Sequence, residues 1–294
     1  MSRFFLPIIL FINCVLVAQT SSMNNKVEIH GHRGFRGKFP ENTLVAFQEA
    51  VKLGVDAIEL DVVISKDSQV VVSHEPWFNH KICSEPNGEK VRSRKQHNMH
   101  KLTYAEIKKY DCGKRGNPEF PDQQKIPEYK PLLSEVIETI EAYCKENNLP
   151  PVQYNIEIKC WKLGDSRWHP KPQVMSDLVY RTIKKYNISE RMLIQSFDVR
   201  CLQTMHKLDP ALKIGLLTVG RGSVEHHLKK LGFTPYMYNP SLKLANAATI
   251  RKIHEHQCKA IVWTVNSEKD IQRMIALGVD GIVTDRPDIA LKLR

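Results

Sequence analysis

From Val27 onward, short apolar runs alternate with amphipathic stretches in a repeating strand-then-helix order, and that alternation constrains the fold of this chain more than any other feature. The predicted strands are residues 27–32, 57–64, 154–159, 192–196, 213–217, 235–238, 260–264 and 281–284. Helical patterns lie between them, for example 43–53 ending at Gly54, 199–207, and 268–277 ending at Gly278. Glycine just past the last helical residue is a usual stop signal. Eight strands, each followed by a helix, predict a (β/α)8 TIM barrel, with a doubly wound open sheet as the alternative. A chain of 294 residues is long enough for one such domain with a well-buried core.

The alternation stops between about residues 76 and 131. This stretch is rich in Pro, Gly, Asn, Lys and Arg, holds one helical piece near 104–110, and is too long for an ordinary connection. It reads as an insertion after the second strand region, at the barrel mouth, where substrate selection would reside. The alternative is a loose decoration without function.

Arg3 is the only charge before Lys26, and residues 4–18 form an apolar run followed by Thr20, Ser21 and Ser22. Residues 1–22 therefore read as an export signal peptide, leaving 23–294 as the barrel domain in a periplasmic or secreted protein. An uncleaved anchor is the other reading, although the run is short for a membrane span. Of seven cysteines, Cys14 falls in the signal, and the remaining six are able to form disulfides in an oxidising compartment. Cys83 and Cys112 flank a loop-like stretch and are the expected pair; small buried apolar roles serve equally for most of the others.

Apolar residues make up 42% of the chain and charged ones 26%, which excludes wholesale disorder. The net charge of +11 favours anionic partners: phosphorylated substrates, anionic membrane surfaces or nucleic acid. Apart from a short run between Lys90 and Lys101 the basic residues are scattered. No arginine-rich arm, zinc-finger spacing or RNA-binding signature occurs, so nucleic acid is not an expected partner. Peripheral membrane contact stays open, and the oligomeric state is not legible.

Chemistry enters through charged residues at alternating positions in apolar runs. Alternation on a strand puts Glu59 and Asp61 on one face, and likewise Glu157 and Lys159. Charges in such surroundings are costly unless paired or bound to a metal. A barrel gathers chemistry at the C-terminal ends of its strands, where His32, Arg33, Glu59, Asp61, Glu157, Lys159, Ser196, Trp263 and Asp285 fall. Glu59, Asp61 and Glu157 suit a hard cation, Ca2+ or Mg2+. Arg33 would hold phosphate oxygens through its planar fork and Lys159 as a point charge. His32 and His74 suit acid–base work, His74 closing an apolar strand over 69–73. His30 reads as a supporting or structural group. Gly31, Gly34 and Gly37 lack a dinucleotide spacing, and either admit a phosphate to the backbone or make turns. Thr43 or Asn42 would cap the following helix. Trp263 is a pocket wall against an apolar part of the substrate, or a core residue.

These residues resemble the glycerophosphodiester phosphodiesterases. The resemblance lies in His32-Arg33-Gly34, Pro40-Glu41-Asn42-Thr43, Ile58-Glu59-Leu60-Asp61-Val62, Val71-Val72-Ser73-His74, Ile156-Glu157-Ile158-Lys159, Trp263-Thr264-Val265-Asn266 and the closing run from Gly278 to Pro287. It implies a barrel, a divalent cation, and hydrolysis of a small glycerophosphodiester to an alcohol and sn-glycerol 3-phosphate. It carries catalysis to His32 and His74, metal binding to Glu59, Asp61 and Glu157, and phosphate contact to Arg33 and Lys159. An export signal with a long insertion after His74 looks like the secreted or periplasmic branch. Two positions depart from the family pattern: Glu75 stands where Asp is usual, and Asp67-Ser68 where Asp-Gly is usual. Attack by the glycerol 2-hydroxyl through a cyclic phosphate and direct attack by water both fit. Phospholipase D-like action on (lyso)phospholipids, or noncatalytic phosphate binding, are the alternatives for function.

Overall fold

The computed structural model describes residues 26–93 and 96–294. The predicted export signal, and Arg94 and Lys95 of the basic run, lie outside the described residues. Among the described residues no helix is long and apolar enough to cross a membrane.

The strands and helices alternate as β1 (Glu28–Gly31), α1 (Leu44–Leu53), β2 (Ala57–Ile64), β3 (Val70–Val72), α2 (Tyr104–Ile107), α3 (Leu133–Glu146), β4 (Gln153–Ile158), α4 (Pro172–Ile183), β5 (Met192–Ser196), α5 (Val199–Leu208), β6 (Lys213–Thr218), α6 (Val224–Leu231), β7 (Met237–Pro240), α7 (Ala247–Glu255), β8 (Lys259–Val262), α8 (Glu268–Ala276), β9 (Gly281–Thr284) and α9 (Pro287–Leu293). Eight strands pair in parallel, and β1 pairs with both β2 and β9, closing the sheet into a barrel. The open-sheet alternative is thereby excluded. The short β3 runs antiparallel to β2, with Val62 opposite Val72.

Period-two patterning sorts each strand between two environments. Ile58, Leu60, Val62, Tyr154, Ile156 and Ile158 join the apolar layer shared with the helices. The alternate residues Glu59, Asp61, Asn155 and Glu157 belong to the other face, and all are buried. The barrel interior holds its own small apolar cluster of Leu193, Met237, Ile261 and Val283. Side-chain caps start the helices: Thr43 accepts from the Ala46 N–H, Ser223 from His226, Asn246 from Thr249 and Ser267 from Asp270. Gly54 ends α1 in the left-handed region at φ 88°.

Several strand limits differ from the sequence reading. The sixth expected strand, 235–238, is β7 and runs from Met237 to Pro240, where Met237 and Tyr238 pair with Gly215 and Leu216. The shift of two residues keeps the alternation intact, so periodicity alone did not fix the ends. His32, Lys159 and Trp263 each lie just past the strand that was expected to contain them.

The insertion is an ordered unit. Phe78 stacks on Tyr110 at 3.7 Å, and with Ile82, Val91, Met99 and Ile107 they form a core closed by Val63 and Val71 of the β2–β3 hairpin. Cys83 and Cys112 are joined in a disulfide, as expected from their position, while Cys144, Cys160, Cys201 and Cys258 are free and buried. The unit is tied to the barrel mouth: Gln123 Nε2 donates to the Arg36 carbonyl at 2.8 Å and Asn98 Nδ2 to the Arg167 carbonyl at 2.6 Å. A loose decoration is therefore excluded. Replacing both Cys83 and Cys112 by alanine is expected to lower the unfolding free energy by about 2–4 kcal/mol in urea titration. A change below about 0.5 kcal/mol would mean that the apolar core alone holds the insertion.

Candidate active site

The turn after β1 is built by close packing. A Cβ on Gly34, at φ +83°, would lie 2.6 Å from the Ala46 backbone, and Cβ atoms on Gly31 and Gly37 would meet the Gly34 and Asp285 carbonyls. Of the two readings of these glycines, turn formation is the one the geometry supports. The turn seats Arg33 at φ 52°, a conformation that costs a non-glycine residue energy and is found where surroundings over-determine it. Here the Arg33 N–H donates to Glu59 Oε2 at 2.9 Å, and Arg33 Nη1 donates to Glu41 Oε1 at 2.8 Å.

Glu59, Asp61 and Glu157 each offer an oxygen, and these oxygens lie within 4.8 Å of one another. Strand register causes this: Asp61 of β2 pairs directly with Glu157 of β4. Lys159 Nζ donates to Glu157 Oε1 at 2.7 Å and stands 3.6 Å from Asp61 Oδ1. Arg33 Nε stands 3.4 Å from Asp61 Oδ2. Asn42 Nδ2 donates to that same oxygen at 2.8 Å and Asn42 Oδ1 accepts from the Asp61 N–H at 3.3 Å. Thr43, not Asn42, is thus the helix cap, and Asn42 fixes a carboxylate.

Burial, the largest effect on each carboxyl, opposes ionisation of all three. Burial, with Asp61 and Glu157 nearby, pushes Glu59 well above the ordinary carboxyl range. Burial also raises Glu157, despite the Lys159 ammonium. At Asp61 burial is outweighed by His74, Lys159 and Arg33, and the group is held far below its ordinary value. Asp61 Oδ1 is buried without a hydrogen-bond partner. A buried oxygen with no donor, two further carboxylates and no thiolate form a donor set that fits a hard divalent cation.

The sequence-predicted histidines line the same cavity of about 190 Å³ as Arg33, Glu59, Glu157 and Lys159. His32 Nδ1 lies 2.7 Å from Asp285 Oδ1, while Asn266 Nδ2 donates to Asp285 Oδ2 at 2.7 Å. Burial works against the Asp285 charge, but His32, Arg36 and Asn266 outweigh it and hold the carboxyl down at about 2. An ionised Asp285 accepts only, so His32 Nδ1 carries its proton and Nε2 is the free acceptor. Burial, with the Arg33 and Arg36 charges, pushes His32 below its ordinary value, Asp285 opposing them. His74 Nδ1 pairs with Glu75 Oε1 at 3.0 Å. His30 is fully buried between Glu28 and Asn155, outside the cavity, as a structural group. Trp263 lines the cavity, donates to the Asn239 carbonyl at 2.8 Å and meets Phe197 edge-on at 5.4 Å.

Four further groups were assigned no role from sequence. Glu41 is buried and clamps both Arg33 and Arg36, whose Nε donates to it at 2.6 Å. Asp285 was placed at the rim but not paired with His32, from which 253 residues separate it. Gln195 Nε2 donates to Glu59 Oε1 at 3.3 Å, oriented by Asn239 Nδ2 donating to its own oxygen at 2.8 Å. Phe197 forms part of the wall.

Residues 32–289 match the model of the glycerophosphoryl diester phosphodiesterase family. A glycerophosphodiester phosphodiesterase of Caldanaerobacter subterraneus is 34% identical, over 91% of this chain and 98% of that one. A solved Silicibacter pomeroyi protein, assigned as a glycerophosphoryl diester phosphodiesterase, superposes with a TM-score of 0.82 at 27% identity, covering 92% of this chain and 93% of its own. An Oleispira antarctica phosphodiesterase solved with the product sn-glycerol-3-phosphate shares the fold, with a TM-score of 0.72 at 21% identity, over 90% of this chain and 96% of that one.

The turn makes a sharp demand on Gly34. Gly34→Ala is expected to destabilise the protein by more than about 2 kcal/mol, because its methyl meets backbone and not a flexible side chain. Thermal unfolding of the variant with an unchanged Tm would contradict the packing described for this turn.

Proposed function

The chain belongs to the glycerophosphoryl diester phosphodiesterase family, and we propose that it hydrolyses glycerophosphodiesters to an alcohol and sn-glycerol 3-phosphate with a divalent cation and two histidines. Glu59 and Glu157 line one cavity with His32 and His74, and Asp61 completes the carboxylate cluster; this convergence carries the reading. The three carboxylates would hold Ca2+ or Mg2+, which would supply polarisation of a phosphoryl oxygen and offset its charge. Arg33 and Lys159 bind the remaining phosphate oxygens, and Trp263 with Phe197 walls the cavity against the organic part of the substrate.

His32 acts as the general base. Its Nε2 accepts the proton of the attacking hydroxyl while Asp285 steadies the ring that becomes charged. His74, braced by Glu75, returns a proton to the departing alkoxide. The attacking hydroxyl is the substrate's own glycerol 2-hydroxyl or that of water; a substrate lacking the 2-hydroxyl and cleaved at full rate would exclude the internal route. Residues 1–22 are proposed as an export signal and 23–294 as the catalytic domain, working in the periplasm or outside the cell. The Cys83–Cys112 disulfide supports an oxidising compartment.

Release of glycerol 3-phosphate from glycerophosphocholine is expected to vanish after EDTA treatment and to return with Ca2+ or Mg2+. Undiminished release in EDTA, or none with any cation from folded protein, would contradict the proposal.

The pH dependence follows from the His32–Asp285 pair. A histidine held below its ordinary value stays neutral at pH 7, so the acidic limb of kcat/KM is expected below about 6.5. Asp285 is the group that holds this value up. Asp285→Asn is therefore expected to move the limb to still lower pH while cutting kcat by roughly 10²-fold or more, through loss of ring orientation. An upward move of the limb, or an unchanged rate, would rule out the assigned pairing. The Asp285 carboxylate itself contributes stability above its ordinary value, and that contribution is lost as pH falls through about 2.

A further inference from the structure

Six large apolar side chains are strongly exposed among the described residues, and three of them stand on consecutive loops at one end of the barrel. Leu163 follows β4 and is 88% exposed, Phe197 follows β5 and is 39% exposed, and Val219 follows β6 and is 63% exposed. All three strands are parallel neighbours, so these loops share the rim that carries the candidate active site. Isolated exposed apolar residues are ordinary, but a group on adjoining loops marks a contact surface.

The loop bearing Leu163 is held in place. Arg200, at the start of α5, donates to Asp165 at 2.7 and 3.1 Å and to Asp198 at 2.6 Å, which joins the β4–α4 loop to the next one. One arginine thereby occupies Asp165 and Asp198, the acidic groups of these two loops. Lys162, Arg167, Arg221 and Lys230 are exposed and enter no ion pair among the described residues. Two grooves of about 410 and 290 Å³ adjoin Phe197. Val199 lies along both, Leu216 and Val219 line the second, and Lys230 borders both.

We infer that this sector of the rim, from Leu163 through Phe197 to Val219, docks the protein on an anionic phospholipid surface. Leu163 and Val219 enter the interfacial layer, and Lys162, Arg167, Arg221 and Lys230 meet the lipid phosphates. Charge complementarity decides the occupant. An apolar tip accompanied by cations that enter no ion pair suits a surface that is apolar within and negative at its edge. A second copy of this chain, with a net charge of +11, would bring like charge against the same cations. In this arrangement the catalytic mouth faces the lipid, although binding itself does not depend on the reaction proposed above.

Co-sedimentation tests the inference, using vesicles of phosphatidylcholine alone and vesicles with about one third phosphatidylglycerol. The protein is expected to sediment with the anionic vesicles only, and to be released by salt at roughly 0.5 M. Leu163→Glu with Val219→Glu is expected to lower the partition coefficient at least roughly tenfold. Lys162→Glu with Lys230→Glu should act likewise. Both double variants should keep the parent Tm and the turnover of soluble glycerophosphocholine. Should the proposed reaction fail, the Tm and the binding readout still decide the matter. Failure of the parent protein to bind anionic vesicles would overturn the inference, as would variants that bind equally well. A dimer seen by light scattering, and dissociated by Leu163→Glu with Val219→Glu, would also overturn it by making a second copy the occupant.

Discussion

Three carboxylates buried together on neighbouring strands are the constraint around which the mouth of this barrel is organised. Like charges within 4.8 Å of one another repel strongly once water is removed. The structure answers with two cations, Arg33 and Lys159, and with amide donors from Asn42 and Gln195. That answer is incomplete: Asp61 Oδ1 keeps no donor and Glu59 resists ionisation. Leaving a buried polar group unsatisfied costs about 1–3 kcal/mol, which a protein retains where a function requires it. A divalent cation would remove the repulsion and supply the missing partner together.

The surrounding fold follows from that cluster. Parallel pairing sets Asp61 opposite Glu157, and the left-handed Arg33 aims its N–H at Glu59. Arg33 is in turn gripped by Glu41, which also holds Arg36, so the guanidinium that faces the cavity is fixed from behind. The same turn delivers His32 to Asp285, and Asn266 locks Asp285 through both its side-chain atoms and the Asp285 N–H. The antiparallel β3 adds the second histidine. The Ser73 N–H donates to the Asp61 carbonyl at 2.9 Å, so the segment that carries His74 is stitched to the strand that carries the carboxylates.

How much of this was legible in the sequence depended on the range of each interaction. Glu59, Asp61, Glu157 and Lys159 were readable because a period of two in an apolar run is a local signal, and a charge there needs a reason. The barrel was readable from repetition of that signal with helices between. Pairing across the chain was not: nothing near His32 announces Asp285, and nothing near Glu59 announces Gln195 or Asn239. The limits of β7 were misplaced by two residues, which keeps its two faces, because periodicity does not mark where a strand ends. The insertion was readable as a unit at the barrel mouth, but not its core, because Phe78, Tyr110, Met99 and Ile107 pack together with Val63 and Val71 of the β2–β3 hairpin. Asn42 was read beside Thr43 as one of two candidate caps because a cap is a local signal, whereas its partner Asp61 lies on the next strand.

Whether Glu59, Asp61 and Glu157 together hold one divalent cation is decided by calorimetric titration of the metal-free protein with Ca2+ and with Mg2+. Saturable binding of one cation per chain is expected, abolished by Asp61→Asn in a variant that keeps its fold. Absence of binding, or binding that Asp61→Asn leaves untouched, would contradict that shared site.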